Sequence, residues 1–207
     1  MCIKPIPRTP EVWGSLGETF VEDIKERLQQ MISADRYTHS LGVAEAATGL
    51  AQLYGASVEK ARIAGLVHDC GKSESKNILL NRVLEFGIVM DEIEQVETHL
   101  LHGPVSAELA RREFGIDDEE VLSAIRHHTT GRVWMSLLEK IVYLADYIEP
   151  GRCFPGVDEL RELACQDLDT ALIRAMDLTL AHVIRRGLLI HPQTVKARNW
   201  LIGNSKK

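Results

Sequence analysis

The chain has 207 residues, a hydrophobic share of 45% and a formal net charge of -6. That length can bury one full core without disulfide staples, and the acidic balance excludes a general nucleic-acid binder, which needs an excess of Lys and Arg against phosphate backbones. Cys2, Cys70, Cys153 and Cys165 form no CxxC pair, no secretion-type segment opens the chain, and charges such as Asp146 and Arg174 interrupt the longest apolar stretches, so the expectation is reduced thiols in the cytoplasm and no membrane span.

In chain order, residues 1–16 read as an N-terminal arm with prolines at Pro5, Pro7 and Pro10, and residues 17–207 as a single domain. Phe20, Ile24, Leu28 and Met31 recur at helical spacing and predict a first helix. Asp35 is placed to cap a second, which presents His39, Val43, Ala46, Ala47, Leu50 and Tyr54 on one side until Gly55 ends it. Ser57 caps the third, whose apolar run from Ala61 to Val67 leads into His68-Asp69. Further helices are predicted from Pro104 to Phe114 and from Asp117 to His128, followed by Gly115 and Gly131, and from Ser136 to Ile148, stopped by Pro150-Gly151. Beyond a loop over 151–156, Leu168, Ala171, Leu172, Ala175, Leu178 and Val183 mark a helix over 167–186, and Pro192 starts the last. Aromatics are only 5% and strand alternation is absent, so the expected fold class is all-α. We expect a helical bundle of about eight helices.

Two carboxylates stand out against this apolar pattern. Asp69 follows a buried-looking helix, and Asp146 follows Ile141, Val142, Leu144 and Ala145 within another; an unpaired charge in either setting is heavily penalised, so each calls for a cation. His39, on the inner face of its helix, would alone be read as a core histidine, and His68-Asp69 alone as the start of a solvent turn. His102 precedes a helix whose free amides favour an anion, and His127-His128 end another, where imidazoles often cap carbonyls. Taken together, these imidazoles and carboxylates exceed what core packing needs. Two neutral nitrogen donors and two anionic oxygen donors, as His39, His68, Asp69 and Asp146 would supply, suit iron, manganese or zinc, with positions left open for substrate oxygens.

The order His39, His68-Asp69, Asp146 resembles the HD-domain metal phosphohydrolases, and Lys72 extends the pair to the HDxxK form. More narrowly, Arg36-Tyr-Thr-His39, His68-Asp-Cys-Gly-Lys72, Leu101-His-Gly-Pro104, His127-His-Thr-Thr-Gly131 and Ala145-Asp-Tyr-Ile-Glu-Pro-Gly-Arg152 look like the YqeK family, up to the region Arg198-Asn199-Trp200. The resemblance implies an HD-domain helical bundle with a central metal site, binding iron and hydrolysing diadenosine tetraphosphate symmetrically to two ADP. It carries His39, His68, Asp69 and Asp146 over as metal ligands, and His102 and His128 as holders of a second metal or as direct phosphate contacts. Relatives carry Tyr where this chain has His127, which leaves His127 and His128 both open, with His128 preferred.

The implied roles follow from these positions. Asp69 would be ligand and water-orienting group, and Lys72 would contact phosphate or assist the departing ADP. Arg36 and Arg152 would clamp phosphate oxygens, while Gly187-Leu-Leu-Ile-His191-Pro-Gln-Thr194 resembles a nucleotide-contact loop in which His191 or Thr194 meets base or ribose. Expected partners are therefore a nucleotide substrate or product, with neither nucleic acid nor membrane, and a homodimer is left open. The competing readings are an HD nucleotidase or phosphodiesterase acting on another nucleotide, a non-catalytic ADP or metal sensor, and an iron oxygenase. Arg36, Lys72 and Arg152 favour phosphate over oxygen chemistry.

Overall fold

A computed structural model describes residues 17–72 and 75–205. The expected N-terminal arm, residues 1–16, lies outside the described residues. Among the described residues the regular structure consists of eleven α-helices and one 3-10 turn, with no strand.

Helix α1 (Gly17–Met31) buries Val21, Ile24 and Leu28, while Met31 is exposed and Phe20 only partly buried, so the apolar stripe is tighter than the spacing predicts. Helix α2 (Ala34–Tyr54) is capped by Ser33, whose hydroxyl accepts from the Arg36 amide at 3.4 Å. Asp35, the cap expected from the sequence, instead sits in the first turn, where its carboxylate meets the positive end of the helix dipole. Gly55 ends the helix in the left-handed region, at φ 72°. Helix α3 (Val58–Val67) is capped by Ser57, as expected.

Helices α4 (Lys76–Phe86) and α5 (Glu92–Val96) precede a 3-10 turn at Thr98–Leu101. Helix α6 (His102–Phe114) starts at His102, before the expected Pro104, and α7 (Glu119–His127) is capped by Asp118. Helix α8 (Leu137–Ile148) opens with a reciprocal capping box between Ser136 and Glu139. Helices α9 (Val157–Gln166), α10 (Leu168–Arg185) and α11 (Pro192–Ser205) complete the chain.

Three of these helices occupy stretches where no helix is expected from the sequence. α5 is little more than one turn and buries no side chain, so it has no period to read. In α4, Ile78 and Leu84 face solvent beside the buried Leu79 and Val83, which blurs the stripe. α9 does carry Val157, Leu160 and Ala164 at helical spacing, but Gly156 before it offers no side-chain cap.

The core lies where α2 packs on α3 and α8, and where α7 packs on α3, α6 and α8. Val43, Ile63, Leu66, Leu122, Ile125, Ile141 and Leu144 are fully buried there. Each large side chain of this kind contributes about 1.5–3 kcal/mol by leaving water. Small residues set the helix spacing. A Cβ added at Gly65 of α3 would lie 2.8 Å from Ala44 Cα of α2, and one at Gly103 of α6 would lie 2.8 Å from the Arg126 carbonyl oxygen of α7. Among the described residues no helix is long and apolar enough to cross a membrane.

Candidate metal centre

Five helices deliver imidazoles and carboxylates to one point of this core, mostly from their ends. His39 lies in the second turn of α2, His68 caps the C-terminus of α3 with Asp69 directly after it, and His102 is the first residue of α6. His128 caps α7, and Asp146 lies in the last turn of α8.

Helix ends matter because their backbone carbonyls lack partners within the helix. His68 Nδ1 bonds the Gly65 carbonyl at 2.8 Å, His128 Nδ1 the Ile125 carbonyl at 2.7 Å, and His102 Nδ1 the His99 carbonyl at 2.5 Å. A carbonyl oxygen can only accept, so each Nδ1 carries the proton and each Nε2 keeps a bare lone pair. His39 follows the same logic through Glu149, whose Oε1 lies 3.1 Å from Nδ1.

These bare nitrogens converge. His102 Nε2 and His128 Nε2 are 3.0 Å apart, and Asp69 Oδ1 lies 3.3 Å and 3.5 Å from them. On the other side of the same carboxylate, Asp69 Oδ2 lies 3.7 Å from His68 Nε2 and 4.0 Å from His39 Nε2. Asp146 Oδ1 closes that side, 3.0 Å from His39 Nε2 and 3.9 Å from His68 Nε2. Asp69 thus divides its oxygens between two nests of donors.

Buried His68 Nε2 and Asp69 Oδ1 have no hydrogen-bond partner. Unpaired lone pairs packed together in a dry interior are costly, and a shared cation is what satisfies them all. Potential ligand atoms of His39, His68 and Asp146 lie within 4.8 Å of one another, as do those of His68, Asp69 and His128. The donor set therefore fits a divalent metal.

The electrostatics point the same way. Burial, reinforced by His128, pushes His68 down to about 4 and His102 down to about 3, so both rings are neutral at ordinary pH and free to donate to a metal. Burial opposes the charge of Asp69, yet His68, His128, His102 and Lys72 hold it well below the usual carboxylate range. For Asp146 burial is likewise outweighed, by the neighbouring His39 ring and by the guanidinium of Arg152, and its carboxyl is lowered. His39 shows the opposite balance, since Asp146 and Glu149 overcome burial and raise it.

Three cations rim the nest that opens to solvent. Arg36 Nη1 and Lys72 Nζ lie 3.1 Å and 2.9 Å from Asp69 Oδ2, and Arg152 Nη2 lies 2.5 Å from Asp146 Oδ1. Their side chains are 26%, 39% and 39% exposed, against 1% for Asp69, so they line the mouth while the His102–His128 nest lies deeper.

His127 stands apart from this cluster, with its Nδ1 3.0 Å from the Ser123 carbonyl and 3.2 Å from Glu139 Oε1. Of the two adjacent histidines it is His128 that faces Asp69. His191 accepts from the Gln193 amide at 3.2 Å and pairs with Asp91 at 2.9 Å, and Thr194 is buried in the first turn of α11. The described contacts of His191 thus lie outside the cluster. Two residues that sequence reasoning passed over belong in it. Thr129 Oγ1 lies 3.1 Å from His102 Nε2 and 3.2 Å from His128 Nε2, and Glu149 holds His39. Glu149 had a legible signal, since it lies three residues after Asp146 at the end of the same helix.

Residues 36–151 match the HD domain family, a span that runs from Arg36 to the turn after α8 and contains every imidazole and carboxylate of the cluster, with Arg152 the next residue beyond it. The chain belongs to the HD domain family. Within that family, it is 40% identical to the symmetrical bis(5'-nucleosyl)-tetraphosphatase of Bacillus subtilis, over 86% of this chain and 95% of that protein. The protein of the same name from Halalkalibacterium halodurans is 43% identical, over 84% of this chain and 93% of that one. A crystal structure of a Clostridium acetobutylicum protein, described as a predicted HD superfamily hydrolase involved in NAD metabolism, superimposes with a TM-score of 0.85 at 48% identity, covering 90% of this chain and 97% of that one. The HD domain accounts for the all-α architecture and for the His-Asp pair at its centre.

Proposed function

We propose that this HD domain is a divalent-metal hydrolase that cleaves diadenosine tetraphosphate symmetrically into two ADP. The observation that carries the reading is the division of Asp69 between two donor nests, with Arg36, Lys72 and Arg152 beside the outer one. The activity itself is that named for the Bacillus and Halalkalibacterium relatives.

His39, His68, Asp69 and Asp146 would hold one ion, and His102 and His128 with Asp69 a second. Iron is the preferred metal, two ions the preferred count, and manganese or zinc the alternatives, since imidazole and carboxylate donors suit all three. Such a metal, when bound, neutralises phosphate charge, polarises a phosphoryl oxygen and lowers the pKa of water toward neutrality.

The chain's own groups then define the cleavage. Asp69 orients the attacking water toward one of the two central phosphorus atoms, and the bond broken is the one from that phosphorus to the oxygen bridging it to the other central phosphorus. Each half leaves as ADP, one having gained the water oxygen. Lys72 Nζ donates to the departing phosphate oxygen, and Arg36 and Arg152 hold the flanking oxygens through their planar guanidinium groups. All three sit on carboxylate oxygens of the cluster, a placement that supports these roles.

Anaerobic purification with metal analysis, followed by incubation with diadenosine tetraphosphate and chromatography of the nucleotides, tests the reading. ADP as sole product supports it. AMP plus ATP overturns symmetrical cleavage, and intact substrate with metal-loaded protein overturns the activity. NAD belongs in the same assay because of the description of the Clostridium hydrolase. Its preferred cleavage would replace this substrate with a pyridine dinucleotide.

A further inference from the structure

Glu149 caps the C-terminus of α8 and is buried, 5% exposed. A carboxylate in that setting needs partners for both oxygens, and it has them. Oε1 accepts from His39 Nδ1 at 3.1 Å, Oε2 accepts from the Gly151 amide at 2.5 Å, and Arg152 Nε lies 3.8 Å from Oε1. Its partners are thus His39, the proposed ligand on α2, and the turn that carries Arg152.

The same turn is fastened from a second side. Arg161 of α9 donates from Nε to the Ile148 carbonyl at 3.0 Å and from Nη2 to the carbonyls of Glu149 and Arg152, both at 2.9 Å. Arg152 in turn donates from Nε to the Asp146 carbonyl at 2.8 Å. Space is reserved for the Glu149 carboxylate on the helix that carries His39. One turn after His39, a Cβ added at Gly42 would stand 2.6 Å from Glu149 Oε2.

We infer that Glu149 is a positioning residue that fixes the tautomer and direction of His39 and couples that ring to the turn presenting Arg152. The inference rests on the metal-centre reading above. A carboxylate behind a ligating imidazole orients the ring and makes it more basic, and losing such a partner costs roughly 10–100-fold in metal affinity. Gly42 is part of the device because a side chain there must displace Glu149 Oε2, and with it the carboxylate whose other oxygen holds His39.

The test is titration with Mn2+, followed by the electron paramagnetic resonance signal of the free ion, on wild type, Glu149→Ala, Glu149→Gln and Gly42→Ala. Thermal unfolding of each metal-free protein is measured alongside. Glu149→Ala is expected to weaken binding by roughly 10–100-fold, and Glu149→Gln, whose amide oxygen still accepts from Nδ1, by less. Gly42→Ala, which leaves every bonding group in place, is expected to weaken binding as well, without a matching drop in the unfolding temperature. Wild-type affinity in both Glu149→Gln and Gly42→Ala overturns the inference, whether or not Glu149→Ala folds. If wild-type protein binds Mn2+ but cleaves no dinucleotide, the proposed substrate fails while this positioning role stands. If wild-type protein binds no Mn2+, both fail.

Discussion

His102 and His128 face each other through bare Nε2 atoms 3.0 Å apart, each ring held in that tautomer by its own helix-end carbonyl. Thr129 Oγ1 has one proton and can donate it to only one of these nitrogens, so the other lone pair faces Asp69 Oδ1 unopposed unless a cation lies between them. The pair therefore predicts a metal count. His102→Ala should lower the bound metal from two ions to one per chain, with the outer nest of His39, His68 and Asp146 still filled. Metal analysis after gel filtration measures this, and an unchanged count would show that His102 is no ligand.

Asp69 contributes an oxygen to each nest, so its removal should cost both. Asp69→Ala is expected to lose metal and to lower hydrolysis by about a thousandfold or more, equivalent to about 4 kcal/mol of transition-state stabilisation. Helicity by far-UV circular dichroism should be unchanged. Activity equal to wild type would remove Asp69 from the mechanism.

Lys72 bonds a ligand oxygen but lies 39% exposed at the mouth. Lys72→Ala should therefore lower turnover while metal content stays constant. A charged hydrogen bond lost from the transition state corresponds to roughly a ten- to hundredfold effect on turnover. Loss of metal without an effect on the turnover of the loaded fraction would reassign Lys72 to the metal nest.

Glu139 supplies a pH dependence away from the metal. Its side chain is 0% exposed, and burial disfavours its charge, yet hydrogen bonds from His127, Arg132, Ser123 and the Ser136 amide prevail and hold it down at about 2. A depressed carboxylate stabilises the fold above its unfolded pKa and loses that contribution as pH falls through the folded one. The stabilisation should thus be complete above the ordinary value of 4.5 and disappear toward about 2. Glu139→Gln keeps the capping box but not the charge. The stability difference between wild type and this variant, from urea unfolding across that window, should shrink on acidification by up to about 3 kcal/mol. A difference independent of pH would refute the assignment.

Gly65→Ala reverses the usual sign for a helix interior. Alanine normally stabilises a helix by about 1 kcal/mol over glycine, but here the new Cβ meets the Ala44 backbone at 2.8 Å. Overpacking of this kind costs about 1–3 kcal/mol. A lower unfolding temperature is expected, and a higher one would show that α2 and α3 can separate freely.

Much of the helical order is legible in the sequence. Ser57 and Gly55 mark their termini by side-chain chemistry and by a left-handed φ, both decided within one turn. The stretches 76–86, 92–96 and 157–166 are less legible because their helices are short or expose apolar residues; burial of a few side chains against neighbours stabilises the first and the last, and the Asp91–Glu94 capping box the second. The His-Asp order also shows in the sequence, whereas the choice between His127 and His128 does not. Adjacent residues on a helix diverge by about 100°, so only the packing of α7 decides which of them meets Asp69.

By itself the sequence determined the all-α class, most helix boundaries and the residue types suited to a metal. Those are consequences of short-range forces: caps, periodic burial and ring-to-carbonyl bonds spanning three residues. Tertiary structure alone decided that Asp69 serves two nests, that His127 turns away toward Glu139, and that Glu149 stands behind His39 across 110 residues of chain. The physical reason is that these relationships depend on how closely helices approach. That distance is set where Gly65 and Gly103 meet backbone atoms of neighbouring helices, a contact that no local pattern records.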